Sequence, residues 1–206
     1  MISGLGLILQ LVILFFSVIL HEVAHGYTAL SLGDPTARAA GRLTLNPISH
    51  IDLWGTIVLP LFLIVVHSPF LVGWAKPVPI NPYLMRDPKR GMMLVGAAGP
   101  LANIALILLS ALALRALPFS ASPFLFDMFK YCCAINIILA LFNLLPVPPL
   151  DGSRVVAGIL PPKMRGAYAG LERYGIFIII ALLYLGVLDH VILPLYRIIF
   201  YFLVQA

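Results

Sequence analysis

Leu7-Ile8-Leu9-Gln10-Leu11-Val12-Ile13-Leu14-Phe15-Phe16-Ser17-Val18-Ile19-Leu20-His21-Glu22-Val23-Ala24-His25 is an apolar run that ends in two imidazoles and a carboxylate. Its apolar character extends over 4–32, and at about 1.5 Å per residue such a helix crosses a hydrocarbon core of about 30 Å and protrudes from it. It stops at Leu32-Gly33-Asp34-Pro35, a glycine and then a proline just past a helix end. No basic segment precedes the run and no small-residue cleavage site follows it, so it reads as a retained membrane helix rather than a signal peptide.

Composition extends this reading to the whole chain. Of 206 residues, 62% are hydrophobic and only 10% charged, too few charges to wet the surface of a water-soluble domain. The outer surface must face lipid, and the expected fold is an all-α polytopic membrane protein forming one domain over 1–206. Five to six apolar helices are expected, over 4–32, 53–73, 91–117, 128–145, 171–188 and 190–205. Gly96-Ala97-Ala98-Gly99-Pro100 offers the small side chains through which membrane helices approach closely. Three prolines at 146–149 require the fourth helix to unwind over 146–150. Cys132 and Cys133 are adjacent on one helix, point about 100° apart, and are poor disulfide partners.

The net charge of +5 does not indicate nucleic acid, because the basic residues sit in short loops beside apolar segments. Arg38 and Arg42 precede segment 53–73, and Lys76, Arg86, Lys89 and Arg90 follow it. A full crossing there would put the two basic loops on opposite faces. A re-entrant excursion keeps both in the cytosol with Arg154, Lys163 and Arg165, as the positive-inside rule expects. The re-entrant form is therefore favoured, with the polar residues of the first helix nearer the cytosolic side of a cell membrane.

His21 and His25 are four residues apart and leave the same face of the helix, a spacing that lets two imidazoles hold one Zn²⁺. Glu22 between them is placed to act as general base towards a water. The chain has only one other glutamate, Glu172. A hydrogen-bonded core histidine is the bland alternative, but it must explain three polar groups in one turn of a membrane helix, each costly unless partnered. A third protein ligand is required. Asp151 is the leading candidate because it follows the proline-broken helix end, with Gly152 beside it to let the backbone turn; a helix-capping role near Ser153 is compatible with ligation. His50 is the rival. His67 and His190 read as interfacial.

These residues resemble the site-2 protease family of intramembrane zinc metalloproteases. The resemblance rests on His21-Glu22-Val23-Ala24-His25, on Gly99-Pro100-Leu101, and on Asn143 through Gly152 as an Asn-x-x-Pro-x-Pro-x-x-Asp-Gly motif. It implies one zinc held by His21, His25 and Asp151, water activation by Glu22, and a substrate-holding or carbonyl-polarising role for Asn143. It also implies a membrane-spanning protein as substrate, cut within or near its transmembrane segment. Gly73 through Pro82 and Leu45-Asn46-Pro47 look like a compact prokaryotic branch; no PDZ-like or CBS-like segment is expected. The 46–91 stretch is longer than in minimal members. The prolyl stretch 74–82 is a candidate partner for a substrate strand, limited by its prolines. Two other classes would also bury such groups: a metal or proton transporter, and an inert scaffold of the same fold.

Overall fold

The computed structural model describes residues 4–66, 74–118 and 120–205. Helix α1 (Gly4–Ser31) contains the opening run. Gly33 ends it at φ +110°, a left-handed conformation, and Asp34 N–H donates to Ala29 O at 2.9 Å to close the last turn. Asp34 is fully buried and ties this corner together: it accepts from Thr36, and from Asn81 N–H at 2.6 Å.

Helix α2 (Leu53–Val65) opens with a π-helical stretch capped by Asp52, whose carboxylate accepts from Gly55 N–H at 2.7 Å. Helix α3 (Pro88–Ala116) starts three residues before the expected 91, because Asp87 caps it through Lys89 N–H and Arg90 N–H. Helix α4 (Pro123–Asn143) likewise starts early, at the Ser122 cap. Both shifts have one cause: a cap-then-proline pair initiates a helix before its apolar pattern begins. Helix α5 (Asp151–Ile159) follows the turns of the prolyl stretch, as the unwound helix end requires.

The centre of the bundle is α3, which packs against α1, α4 and α5. Its glycines make this contact close. A Cβ on Gly96 would lie 2.7 Å from Arg154 Cβ and 2.9 Å from Asp151 O, so α5 abuts the helix backbone there. Away from these seams the side chains are apolar and exposed, among them Leu7, Ile8 and Leu11 on α1 and Leu108, Leu109 and Leu112 on α3. A contiguous surface of this kind suits lipid rather than water.

Among the described residues three helices, Gly6–Ser31, Pro88–Ala116 and Pro123–Asn143, are long and apolar enough to cross a membrane. A bent pair, Pro162–Tyr174 with Phe177–Tyr184, would make a fourth. The all-α membrane fold is thus as expected, with fewer clear spans than five to six. The expected helix over 171–188 is interrupted: a 3₁₀ stretch (Gly170–Tyr174) carrying Glu172 and Arg173 precedes α7 (Gly175–Tyr184), and the pair is bent by 80°. The shorter α6 (Pro162–Ala169) leads into that stretch, and α8 (Leu193–Phe200) lies between π-helical stretches at Leu188–Ile192 and Tyr201–Gln205.

Residues 67–73 of the expected re-entrant segment lie outside the described residues, yet its two ends are described. Trp74 N–H donates to Gly55 O at 3.1 Å, Thr56 Oγ1 donates to Trp74 O at 2.9 Å, and Lys76 N–H donates to His50 O at 2.9 Å. The described ends of the segment thus lie side by side, the arrangement that a re-entrant excursion requires. We therefore expect cysteines introduced at Ile48 and Lys76 to label with a membrane-impermeant thiol reagent from one side only. Labelling of the two from opposite sides would overturn the excursion.

Candidate metal centre

His21 and His25 stand one turn apart on α1, with ring centroids 4.6 Å apart and planes at 87°. Asp151 reaches them from the first turn of α5. Its Oδ2 lies 3.0 Å from His21 Nε2 and 3.2 Å from His25 Nε2, and the two Nε2 atoms are 3.1 Å apart. All three residues are buried. Ligand atoms about 2.0–2.1 Å from a tetrahedral zinc lie about 3.3 Å from one another. The observed triangle is within a few tenths of an ångström of that spacing, so the donor set fits zinc.

Each outer ring nitrogen is also accounted for. His21 Nδ1 pairs with Asn103 Oδ1 at 2.7 Å, and His25 Nδ1 with Val95 O at 2.6 Å. Both acceptors draw the ring proton to Nδ1 and leave the Nε2 lone pairs directed at the centre. Asp151 Oδ2 faces both Nε2 atoms. Arg154 Nη1 stands 3.7 Å from the other oxygen, Oδ1.

The local sequence explains why these groups can meet. α5 begins at Asp151 itself, with Leu150 at the N-cap position, rather than near Ser153, so Asp151 occupies a first turn where the helix dipole favours a carboxylate. Gly152 serves closeness rather than a turn: a Cβ there would lie 2.3 Å from Leu144 O. Gly99 is equally constrained, because its Cβ would lie 2.4 Å from His25 Nε2 and 2.6 Å from His21 Nε2. Gly99→Ala should push both rings apart and lower zinc affinity by about 10-fold or more, measured by chelator competition. An unchanged affinity would show that the rings do not need this notch.

The other expected residues are placed elsewhere. Glu22 is half-buried, and its Oε2 accepts from Val78 N–H at 2.9 Å. Asn143 is the last residue of α4 and donates to Leu139 O at 3.0 Å in its own helix. His50 is fully buried, with Nε2 2.8 Å from Thr44 O, and is not part of the three-residue cluster. His190 caps its own turn, with Nδ1 2.8 Å from Gly186 O. His67 lies outside the described residues.

The stretch 74–82 is extended, as a strand partner should be, but its donors are engaged. Trp74, Lys76, Val78 and Asn81 donate to Gly55, His50, Glu22 and Asp34, and 77, 79 and 82 are prolines. Only Ala75 and Ile80 remain, so this stretch is an anchored strap rather than an open sheet edge. The Val78 contact and the Asn103 contact escaped sequence reasoning. Val78 has no sequence signal. Asn103 had one, a lone amide within an apolar helix.

The comparisons with known proteins point to zinc metalloproteases. A sequence model of Peptidase family M50 matches residues 118–185, the part holding α4 and Asp151. “Putative zinc metalloprotease YwhC” of Bacillus subtilis is 38% identical over 190 residues, covering 88% of this chain and 83% of that protein. Rip2 of Mycolicibacterium smegmatis, described in the same words, is 30% identical over 167 residues, 81% of this chain and 63% of its own length. “Zinc metalloprotease MJ0392” of Methanocaldococcus jannaschii is 27% identical over 154 residues, only 34% of its own length. The chain therefore spans most of YwhC and less than two thirds of the other two. No solved structure matches.

Proposed function

The chain belongs to peptidase family M50, as a zinc metalloendopeptidase of the compact site-2 protease kind, and on that premise we propose that it cuts membrane-spanning protein substrates within or near their transmembrane segments. The observation that carries this reading is the burial of the His21–His25–Asp151 triangle among helices whose outer surfaces are apolar. A hydrolytic centre so placed is reached more readily by a substrate already in the bilayer than by one in solution.

His21, His25 and Asp151 would hold the metal, which when bound acidifies a water and polarises a carbonyl. Glu22 takes the proton from the attacking water and returns it to the leaving amine. Val78 N–H on Oε2 fixes the carboxylate and leaves Oε1 to work as the base. Asn143, at the mouth of the unwound 146–150 stretch, holds the substrate backbone or its carbonyl through its side-chain amide. A substrate helix has its backbone bonds internally satisfied, so it must unwind before its carbonyl can be attacked.

A cell-membrane location with the centre nearer the cytosol, and with the two ends of the α2 excursion on that side, is the reading that the basic loops support. A transporter is the weaker reading, because among the described residues the potential metal ligands form one cluster rather than a path. The direct test is a purified, zinc-loaded protein in lipid with a model single-span substrate. Cleavage inside or beside the span, lost on chelation, is expected. Cleavage of soluble peptides only would refute the intramembrane assignment.

A further inference from the structure

Arg42 is buried, yet among the described residues its side chain makes a single hydrogen bond, from Nη2 to Lys76 O at 2.6 Å, and its Nε has no partner. Nor does any described carboxylate pair with it. A guanidinium so placed costs stability rather than adding to it, which directs attention to what its one bond holds. The position is well defined. Gly41, at φ +65°, turns the chain back, and Arg42 N–H closes on Ala37 O at 2.9 Å, so the side chain leaves for the strap 74–82 from a fixed corner.

Lys76 is gripped at both of its backbone groups. Its O accepts from Arg42, and its N–H donates to His50 O at 2.9 Å. His50 Nε2 donates to Thr44 O at 2.8 Å and closes the loop that presents that carbonyl. In extended backbone the N–H groups of residues i and i+2 leave the same side. A grip on Lys76 from that side therefore also directs Val78 N–H, which donates to Glu22 Oε2 at 2.9 Å. The prolines at 77 and 79 fix φ and carry no N–H, so little freedom remains between the grip and the donor. Gly26, one turn beyond Glu22 on α1, completes the seat. A Cβ there would lie 2.9 Å from Val78 Cγ1 and 2.5 Å from Leu43 Cδ2, so the strap and the Arg42 loop both rest on the helix backbone.

We propose that Arg42 is a positioning residue for the hydrolysis: by holding Lys76 O it sets Val78 N–H over Glu22, and so the direction of the carboxylate's free oxygen, Oε1. His50 shares the task through its backbone carbonyl, which gives the buried corner a part in the reaction without ligating the metal. The inference rests on the reading of Glu22 as general base. Arg42 stands outside the donor triangle, and its influence passes through one carbonyl and one amide. Its loss therefore shows in turnover, not in zinc content or in the affinity for substrate.

The test uses the zinc-loaded full chain in lipid with a single-span substrate, and reads backbone hydrogen exchange by mass spectrometry beside the kinetics. Within 76–80 only Lys76, Val78 and Ile80 carry exchangeable amides, and Ile80 N–H has no partner among the described residues, so a peptide over this stretch reports the grip directly. Arg42→Met keeps the apolar stem and removes the donor. It should expose these amides, leave zinc content and KM within about twofold, and lower kcat by about 10- to 100-fold. Arg42→Lys can still donate to a carbonyl and should recover the protection and most of the turnover. Val78→Pro removes the amide itself, and adding Arg42→Met to it should cost no more than about a further twofold, since the two act through one bond. If Arg42→Met does not accumulate folded, the shorter Arg42→Gln carries the same expectations. Unchanged protection in Arg42→Met, a rise in KM with kcat intact, or an Arg42→Lys no better than Arg42→Met would overturn the proposal. A wild type that cleaves no membrane substrate, while exchange responds as expected, would undo the proposed function and not the grip, so the two failures are told apart.

Discussion

Glu22→Gln should keep zinc and the fold while lowering cleavage of a membrane-helix substrate by about 10³-fold or more, in the range that loss of a general base produces. The substitution is nearly isosteric, and the amide oxygen of glutamine can still accept from Val78 N–H, so the strap at 74–81 keeps its anchor. Glu22 lies outside the His21–His25–Asp151 triangle, so the donor set is intact. What is lost is a group able to take a proton. Zinc content by metal analysis and thermal unfolding should match wild type while product formation falls below detection. Unchanged proteolysis in that variant would remove the general-base assignment. The same variant, with binding intact and turnover stopped, would also retain substrates for identification.

How much of this was legible beforehand depends on how local each signal is. The first helix and its two histidines follow from periodicity and from the cost of polar groups in hydrocarbon, both read within one turn. A re-entrant segment 53–73 is expected from loop charges, and the bonds of Trp74 and Lys76 to Gly55 and His50, which bring its described ends together, fit that expectation. Asp151 stands out as a carboxylate beside a proline break, preferred to His50, which lies outside the apolar helices; the family resemblance then points to the same residue. The break after α6 was hidden, because an apolar pattern does not show where a helix bends. The hydrogen bonds of Asn103 to His21 and of Asn136 to Ser17 join residues 82 and 119 positions apart, and no window along the chain contains them. Gly99 was legible as a close-packing residue but not as the notch that admits both imidazoles. Local chemistry was readable; the supports that make it work were contacts between helices.

Asp151→Ala should reduce zinc affinity by more than about 100-fold, beyond the loss expected from removing a supporting hydrogen bond. The variant leaves two imidazoles and no carboxylate within reach, too few for a closed protein donor set. Replacement from nearby is blocked. His50 is committed to Thr44 O and lies in the buried corner where its own carbonyl holds Lys76. Glu22 is tied through Oε2 to Val78. The fold should survive, because the carboxylate at the first turn of α5 contributes only about 0.3–1 kcal/mol through the helix dipole, and Gly152 still packs against the Leu144 carbonyl. Zinc loss with unfolding unchanged is therefore the expected pair of results, and His50→Ala should leave zinc unaffected. Full retention of zinc in Asp151→Ala, lost only when His50 is also replaced, would mean that the buried corner around His50 opens to supply the third ligand.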